Sequence, residues 1–216
     1  MATSESRAQY LQSRLKIPII KIFTYQKMAI NTLYLDNGVA KSIRNIYNKN
    51  NPKNIQLENF FQKAVCSILQ KKLYNSKFNL KFRPYKYKYF IAKSKEIDYF
   101  LKGRYFDDLI EKILGIKKYR ISYEIRKFEP GNYTLLHDFD KEKSGIDFVI
   151  DFSKDGKNYG GYTVYLTETE ELLQLNPAPN TLSFVERKEN VMKYTKHFTH
   201  QNKNPIVQVV GTIFWK

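Results

Sequence analysis

Residues 119–136, YRISYEIRKFEPGNYTLL, decide the fold. Tyr119, Ile121, Tyr123 and Ile125 alternate with Arg120, Ser122, Glu124 and Arg126. A period of two places the two sets on opposite faces of a strand. Glu129-Pro130-Gly131-Asn132 then supplies a turn, because proline presets one backbone angle and glycine and asparagine accept the sharp bend. Working outward, the same punctuation separates GIDFVIDFS (145–153), GGYTVYLT (160–167), NTLSFVE (180–186), a basic segment around MKYTKHF (192–198) and IVQVVGTIFW (206–215). About seven or eight short strands in so short a stretch read as a β-sandwich or a jelly-roll barrel.

Upstream the pattern is mostly helical. Leu57, Phe60, Phe61, Ala64 and Ile68 recur at three- and four-residue spacing, with Asn54 as a candidate cap. Phe106, Leu109, Ile110, Ile113 and Leu114 repeat the spacing, and Gly115 stops that helix. Helices followed by strands give an α+β architecture in which helices buttress one face of the β core. No repeat or low-complexity linker divides the two parts, so they are read as one integrated domain.

The chain has 216 residues, 42% of them hydrophobic and 15% aromatic, which is enough apolar side chain for a core and excludes general disorder. No apolar run is long enough to span a membrane, and the N-terminus lacks the apolar stretch and cleavage site of a secretory signal. The lone Cys66 excludes an internal disulfide and a cysteine zinc cluster, and suits a reducing, cytoplasmic setting. Charge is uneven. Residues 1–100 carry 19 Lys/Arg and 5 Asp/Glu, so 19 − 5 = +14 of the total +16 lies there. Such asymmetry suggests an anionic partner, RNA being the usual one. With 29 Lys against 8 Arg and with 17 Asn, an AT-rich coding sequence explains the same numbers. The densest basic and aromatic segment is KFNLKFRPYKYKYF (77–90). It reads either as an RNA or acidic-protein surface or as an edge strand kept soluble by its lysines.

All three histidines lie in the β part. His137 ends YTLLH and precedes Asp138 and Asp140; His197 and His200 sit in KHFTH. A non-haem Fe(II) site needs two imidazoles and one carboxylate on one face, with positions left open for oxygen and substrate. A jelly-roll barrel provides these from a His-x-carboxylate pair on one strand and a distant His on another. The alternative is ordinary polar histidines and a solvated acidic turn.

The segments IQLENFF (55–61), YEIRKFEPGNYTLLHD (123–138), YGGYTVYL (159–166), LNPAPNTLSFVER (175–187), VMKYTKHF (191–198) and VVGTIFW (209–215) occur in the order that resembles the prolyl 3,4-dihydroxylase family. Its members are 2-oxoglutarate/Fe(II) oxygenases built on a double-stranded β-helix, and they hydroxylate a proline of a ribosomal protein. The resemblance is to the family's C-terminal domain, which keeps the barrel but is catalytically silent, and it runs from about residue 33 to the end. It implies an N-terminal extension at 1–32, helical support at 33–118 and the barrel at 119–216. It further implies Fe(II) and 2-oxoglutarate as cofactors and a ribosomal or other protein as substrate or partner. His137 matches the first metal ligand, and His197, or else His200, the second. The carboxylate position two residues after His137 is Phe139, which leaves Asp140 or Asp138 as substitute. The basic residue expected to hold the far carboxylate of 2-oxoglutarate falls at Ile206, so Lys203 or Arg126 would have to supply that charge. Two readings follow: a hydroxylase with a degenerate site, or a barrel without turnover that binds a partner.

Overall fold

The computed structural model describes residues 29–136, 143–154 and 160–215. Eleven strands and four α-helices are defined among them. The helices are α1 (Asn37–Lys49), α2 (Lys63–Tyr74), α3 (Lys95–Leu101) and α4 (Arg104–Leu114). The strands are β1 (Asn54–Leu57), β2 (Asn79–Arg83), β3 (Tyr87–Ala92), β4 (Tyr119–Phe128), β5 (Tyr133–Thr134), β6 (Gly145–Asp151), β7 (Thr163–Leu166), β8 (Glu171–Leu175), β9 (Thr181–Arg187), β10 (Met192–Thr195) and β11 (Ile206–Trp215). Residues 1–28, which are most of the expected extension, together with His137, Asp138 and Asp140, lie outside the described residues.

The strands follow the order β1-β9-β6-β11-β4-β3-β5-β10-β7-β8, with β2 paired to β3. Along the chain, β4 lies in one arm of this sheet, β5 in the other, β6 back in the first and β7 and β8 in the second. β9, β10 and β11 continue the alternation. A chain that winds to and fro between two four-stranded arms, β9-β6-β11-β4 and β5-β10-β7-β8, is a double-stranded β-helix. The curled sheet forms a half-barrel of the expected jelly-roll type, and every pairing within it is antiparallel.

The helices cover the outer face of the first arm. Ile125 of β4, Phe148 and Ile150 of β6, Leu182 and Phe184 of β9, and Val207, Val209 and Ile213 of β11 form one core with Leu69, Phe100, Phe106, Leu109 and Ile113 from the helices. Burying each such side chain contributes about 1.5–3 kcal/mol. The alternation read in 119–125 is realised, since Tyr119, Ile121 and Tyr123 pack against this same core. Gly115 ends α4 as expected, at φ 77, where a side chain would be strained.

Two local expectations are corrected. Residues 54–57 form strand β1 against β9 rather than the start of a helix, and α2 begins only at Lys63. Leu57, Phe60 and Phe61 are buried because tertiary pairing overrides their helical spacing. The single strand expected over 77–90 is a hairpin. Pro84 and Tyr85, the latter at φ 59, turn the chain so that the Lys86 N–H donates to the Arg83 carbonyl at 3.0 Å.

Candidate functional site

The two arms enclose a cavity of about 1020 Å³. Its walls include Tyr87 and Tyr89 of β3, Arg126 of β4, Val149 of β6, Tyr165 of β7, Lys193 of β10 and Val210 of β11, with Leu136 at one side. These positions follow from strand parity. Neighbours such as Phe148 and Val209 face the helices, so Val149 and Val210 face inward.

Two charge clusters are built into this inner face. In the first, Asp147 accepts from Arg187 Nε at 2.9 Å, Lys193 Nζ at 2.8 Å and Thr212 Oγ1 at 2.6 Å. Arg187 and Asp147 side chains are each 1% exposed. Burial alone would raise the Asp147 pKa, but Lys193 and Arg187 outweigh it and hold the carboxyl below the ordinary value. In the second, Glu124 accepts from Arg126 at 2.8–2.9 Å and from Lys81. Arg126 also lies 4.7 Å from the Tyr89 ring centroid. Burial pushes Glu124 up, yet Arg126 and Lys81 bring it down to about 2. Deeper in the barrel, Asp151 is a buried carboxyl held by the N–H groups of Ser153 at 2.7 Å and Ala178 at 3.2 Å and by Gln208 Nε2 at 2.7 Å. Burial exceeds these hydrogen bonds, so its pKa is raised.

The opposite end of the barrel is closed by an apolar plug of Tyr89, Phe128, Phe198 and Ile206. Gly160 and Gly161, at φ 83 and 73, let the chain pass against it; a Cβ on Gly161 would stand 2.4 Å from Ile206 Cδ1.

The sequence-derived candidates divide among these places. Arg126 lines the cavity. Lys203 is exposed in the loop before β11, and His200 is exposed in a turn. His197 is exposed just beyond β10, with its ring 6.4 Å from that of Tyr133. Here the β10 chain still runs beside the start of β5, because the Phe198 N–H donates to the Asn132 carbonyl at 2.9 Å. Thr195 pairs with Thr134, so Leu136, the last described residue before His137, runs the other way. Leu136 and Lys193 both line the cavity, whereas His197 is not among the lining residues. Among the described residues no three His, Cys, Asp or Glu side chains cluster as a metal site. The residues weighed for a 2-oxoglutarate anchor lie in three different settings. Ile206 is fully buried in the plug, Lys203 is not among the residues lining the cavity, and Arg126 is engaged by Glu124.

Sequence reasoning missed Asp147, Asp151, Arg187 and Lys193. The signal was present in GIDFVID, where two acids four residues apart share one face of an otherwise apolar strand. A polar group at such positions requires partners once the strand is buried on both sides.

A family model described as "Oxoglutarate and iron-dependent oxygenase degradation C-term" matches residues 86–214, more than half of the chain. The chain belongs to this family. It is 36% identical over 83 residues to prolyl 3-hydroxylase OGFOD1 of Mus musculus, a match covering 37% of the chain and 15% of the relative. With prolyl 3-hydroxylase OGFOD1 of Xenopus laevis it shares 34% over 88 residues, 38% of the chain and 17% of that protein. The chain thus spans only a small part of the length of these curated relatives. Among solved structures, a Pseudomonas putida prolyl-4-hydroxylase superposes with a TM-score of 0.63 at 13% identity, covering 82% of this chain and 99% of that one. A Trichoplax adhaerens prolyl hydroxylase, in complex with a hypoxia inducible factor peptide fragment, gives 0.62 at 12% identity over 85% and 92%. These likenesses place the fold among the 2-oxoglutarate oxygenase barrels. Membership in the family agrees with the oxygenase-like character read from the sequence. No helix among the described residues is long and apolar enough to cross a membrane.

Proposed function

We propose that this oxygenase-like barrel binds a protein partner without turnover, its open cavity receiving an extended segment of that partner. Ile206 carries the reading. At the position where the resemblance calls for a cation on the cosubstrate, an apolar side chain at 0% exposure closes the barrel with Tyr89, Phe128 and Phe198. Of the cations that line the cavity, Arg126 and Lys193 are engaged by the barrel's own Glu124 and Asp147. The peptide complex of the Trichoplax barrel supports the idea that this shape admits an extended segment. The net +14 of residues 1–100 favours an anionic assembly, ribosomal or RNA-containing, as the place of docking, in the cytoplasm.

A second reading is a 2-oxoglutarate- and Fe(II)-dependent prolyl hydroxylase. It is favoured by Arg126, a guanidinium on the cavity wall. There His137, with Asp140 or Asp138 and with His197 or His200, would hold the iron. Arg126 or Lys203 would balance the cosubstrate, and the metal would supply oxygen activation when bound.

Mn(II) titration of the purified chain, with and without 2-oxoglutarate, separates the two. The first reading expects no binding that depends on 2-oxoglutarate and no change in His137→Ala. Binding strengthened by 2-oxoglutarate and lost in His137→Ala would replace it with the second. A ribosome pulldown insensitive to salt would speak against a charge-driven partner.

A further inference from the structure

We propose that strand β2 is a docking edge for an acidic, extended segment of a partner protein, which adds to the sheet as a further strand. The edge borders the β3 wall of the cavity, but the inference does not rest on the reading given above. Among the described residues β2 pairs only with β3, so its other side presents backbone N–H and C=O groups in strand geometry. An added strand satisfies those groups, while its alternate side chains meet the two faces of the edge.

Both faces have a defined chemistry. Leu80 and Phe82, two residues apart and thus on one face, are 53% and 55% exposed. On the same face, across the β2–β3 register, Phe82 stands opposite Lys88 and Leu80 opposite Phe90, whose ring lies under Lys127 Nζ at 4.9 Å. The other face carries Arg83 and, beside it, Lys81, which Glu124 already engages, and Tyr85 at the hairpin tip is 88% exposed. Residues 77–93 hold six Lys/Arg and no Asp or Glu.

The charge selects the occupant. Two copies of this edge would set like charges against each other, which disfavours a second copy of the chain. Residues 1–28, with five Lys/Arg and one Glu, are likewise a poor electrostatic match. An acidic strand with intervening apolar residues meets the lysines and the Leu80–Phe82 stripe together. RNA would use the same cations, but it has no use for the unpaired backbone edge.

The test uses the full chain with a fluorescein-labelled decapeptide of alternating Glu and Val. The comparison probes are the Lys–Val decapeptide, a Glu–Val decapeptide with proline at alternate positions, and a uridine decamer. Anisotropy is measured over a range of salt, and hydrogen exchange reports the β2 amides. The expected result is that Glu–Val binds with added protection of β2 amides. The proline peptide and Arg83→Glu each lower affinity about tenfold or more, and Phe82→Ser lowers it severalfold. Thermal melts verify that both exposed-site variants stay folded. Equal binding of the proline peptide, tighter binding of the uridine decamer, or absence of β2 protection overturns the proposal.

Discussion

The two faces of the β9-β6-β11-β4 arm are chemically opposite. β6 shows this within seven residues, all of them buried. Ile146, Phe148 and Ile150 enter the core beneath the helices, whereas Asp147, Val149 and Asp151 face the barrel interior. On the helical side only shape has to be satisfied, and apolar rings from α2, α3 and α4 do so. On the inner side each charge has to find a partner, and Arg187, Lys193, Thr212 and Gln208 are those partners. The outer face therefore supplies cohesion, and the inner face lines the cavity with tyrosines and valines beside Arg126 and Lys193. The inner charges are paired with one another.

The strongest way to break this contrast is to remove the central inner carboxylate. Asp147→Ala leaves Arg187 buried without its main counter-charge and should cost about 3–5 kcal/mol in urea unfolding. Replacing Asp147, Arg187 and Lys193 together by apolar residues of similar volume should recover most of that loss. Failure to recover would mean that the charges shape the barrel and are not merely tolerated.

The outer face is probed by overpacking. In Gly211→Val the added Cβ would stand 2.5 Å from the Phe148 ring and 2.6 Å from the Ser122 carbonyl. The expected loss is about 1–3 kcal/mol, read as a lower Tm, with no change in the inner clusters.

Glu124 sharpens the comparison through pH. Its folded pKa, about 2, lies below its ordinary 4.5, so its stabilisation is complete above about 4.5 and is lost as pH falls toward 2. Glu124→Gln should cost about 1–2 kcal/mol at pH 7, a value reduced for the 29% exposure of the side chain. The difference from the unmodified chain should shrink between pH 5 and pH 2. A constant difference across that range would show that the carboxylate's charge is not what stabilises the cluster.

The smallest effect belongs outside both faces. Phe82→Ser on the exposed edge should change stability by no more than about 0.5 kcal/mol. A larger loss in thermal unfolding would place Phe82 in the core and remove it from the docking edge.

Much of the fold was legible because its signals are local. The alternation in 119–125, the turn at 129–132 and the cap at Gly115 all act within a few residues and all recur in the structure. Leu57, Phe60 and Phe61 misled because a three- and four-residue apolar spacing cannot distinguish a helix from a strand and its following turn when β9 supplies the pairing. The site was less legible. Histidines draw attention by their chemistry, but His197 is exposed beyond β10 and is not among the residues lining the cavity, which depends on tertiary placement rather than composition. Lys193, one lysine among 29, becomes distinctive only when an inner-face Asp147 is found 2.8 Å from it.

By itself, the sequence determined an α+β chain with a β-rich second half, a basic first half and family motifs of an oxygenase barrel, because periodicity, turn chemistry and charge are properties of neighbours. The tertiary structure decided which face of each strand was polar for a purpose. It set Ile206 in the plug, closed Asp147 with Arg187 and Lys193, and left β2 at the edge, because these relations join residues far apart in the chain.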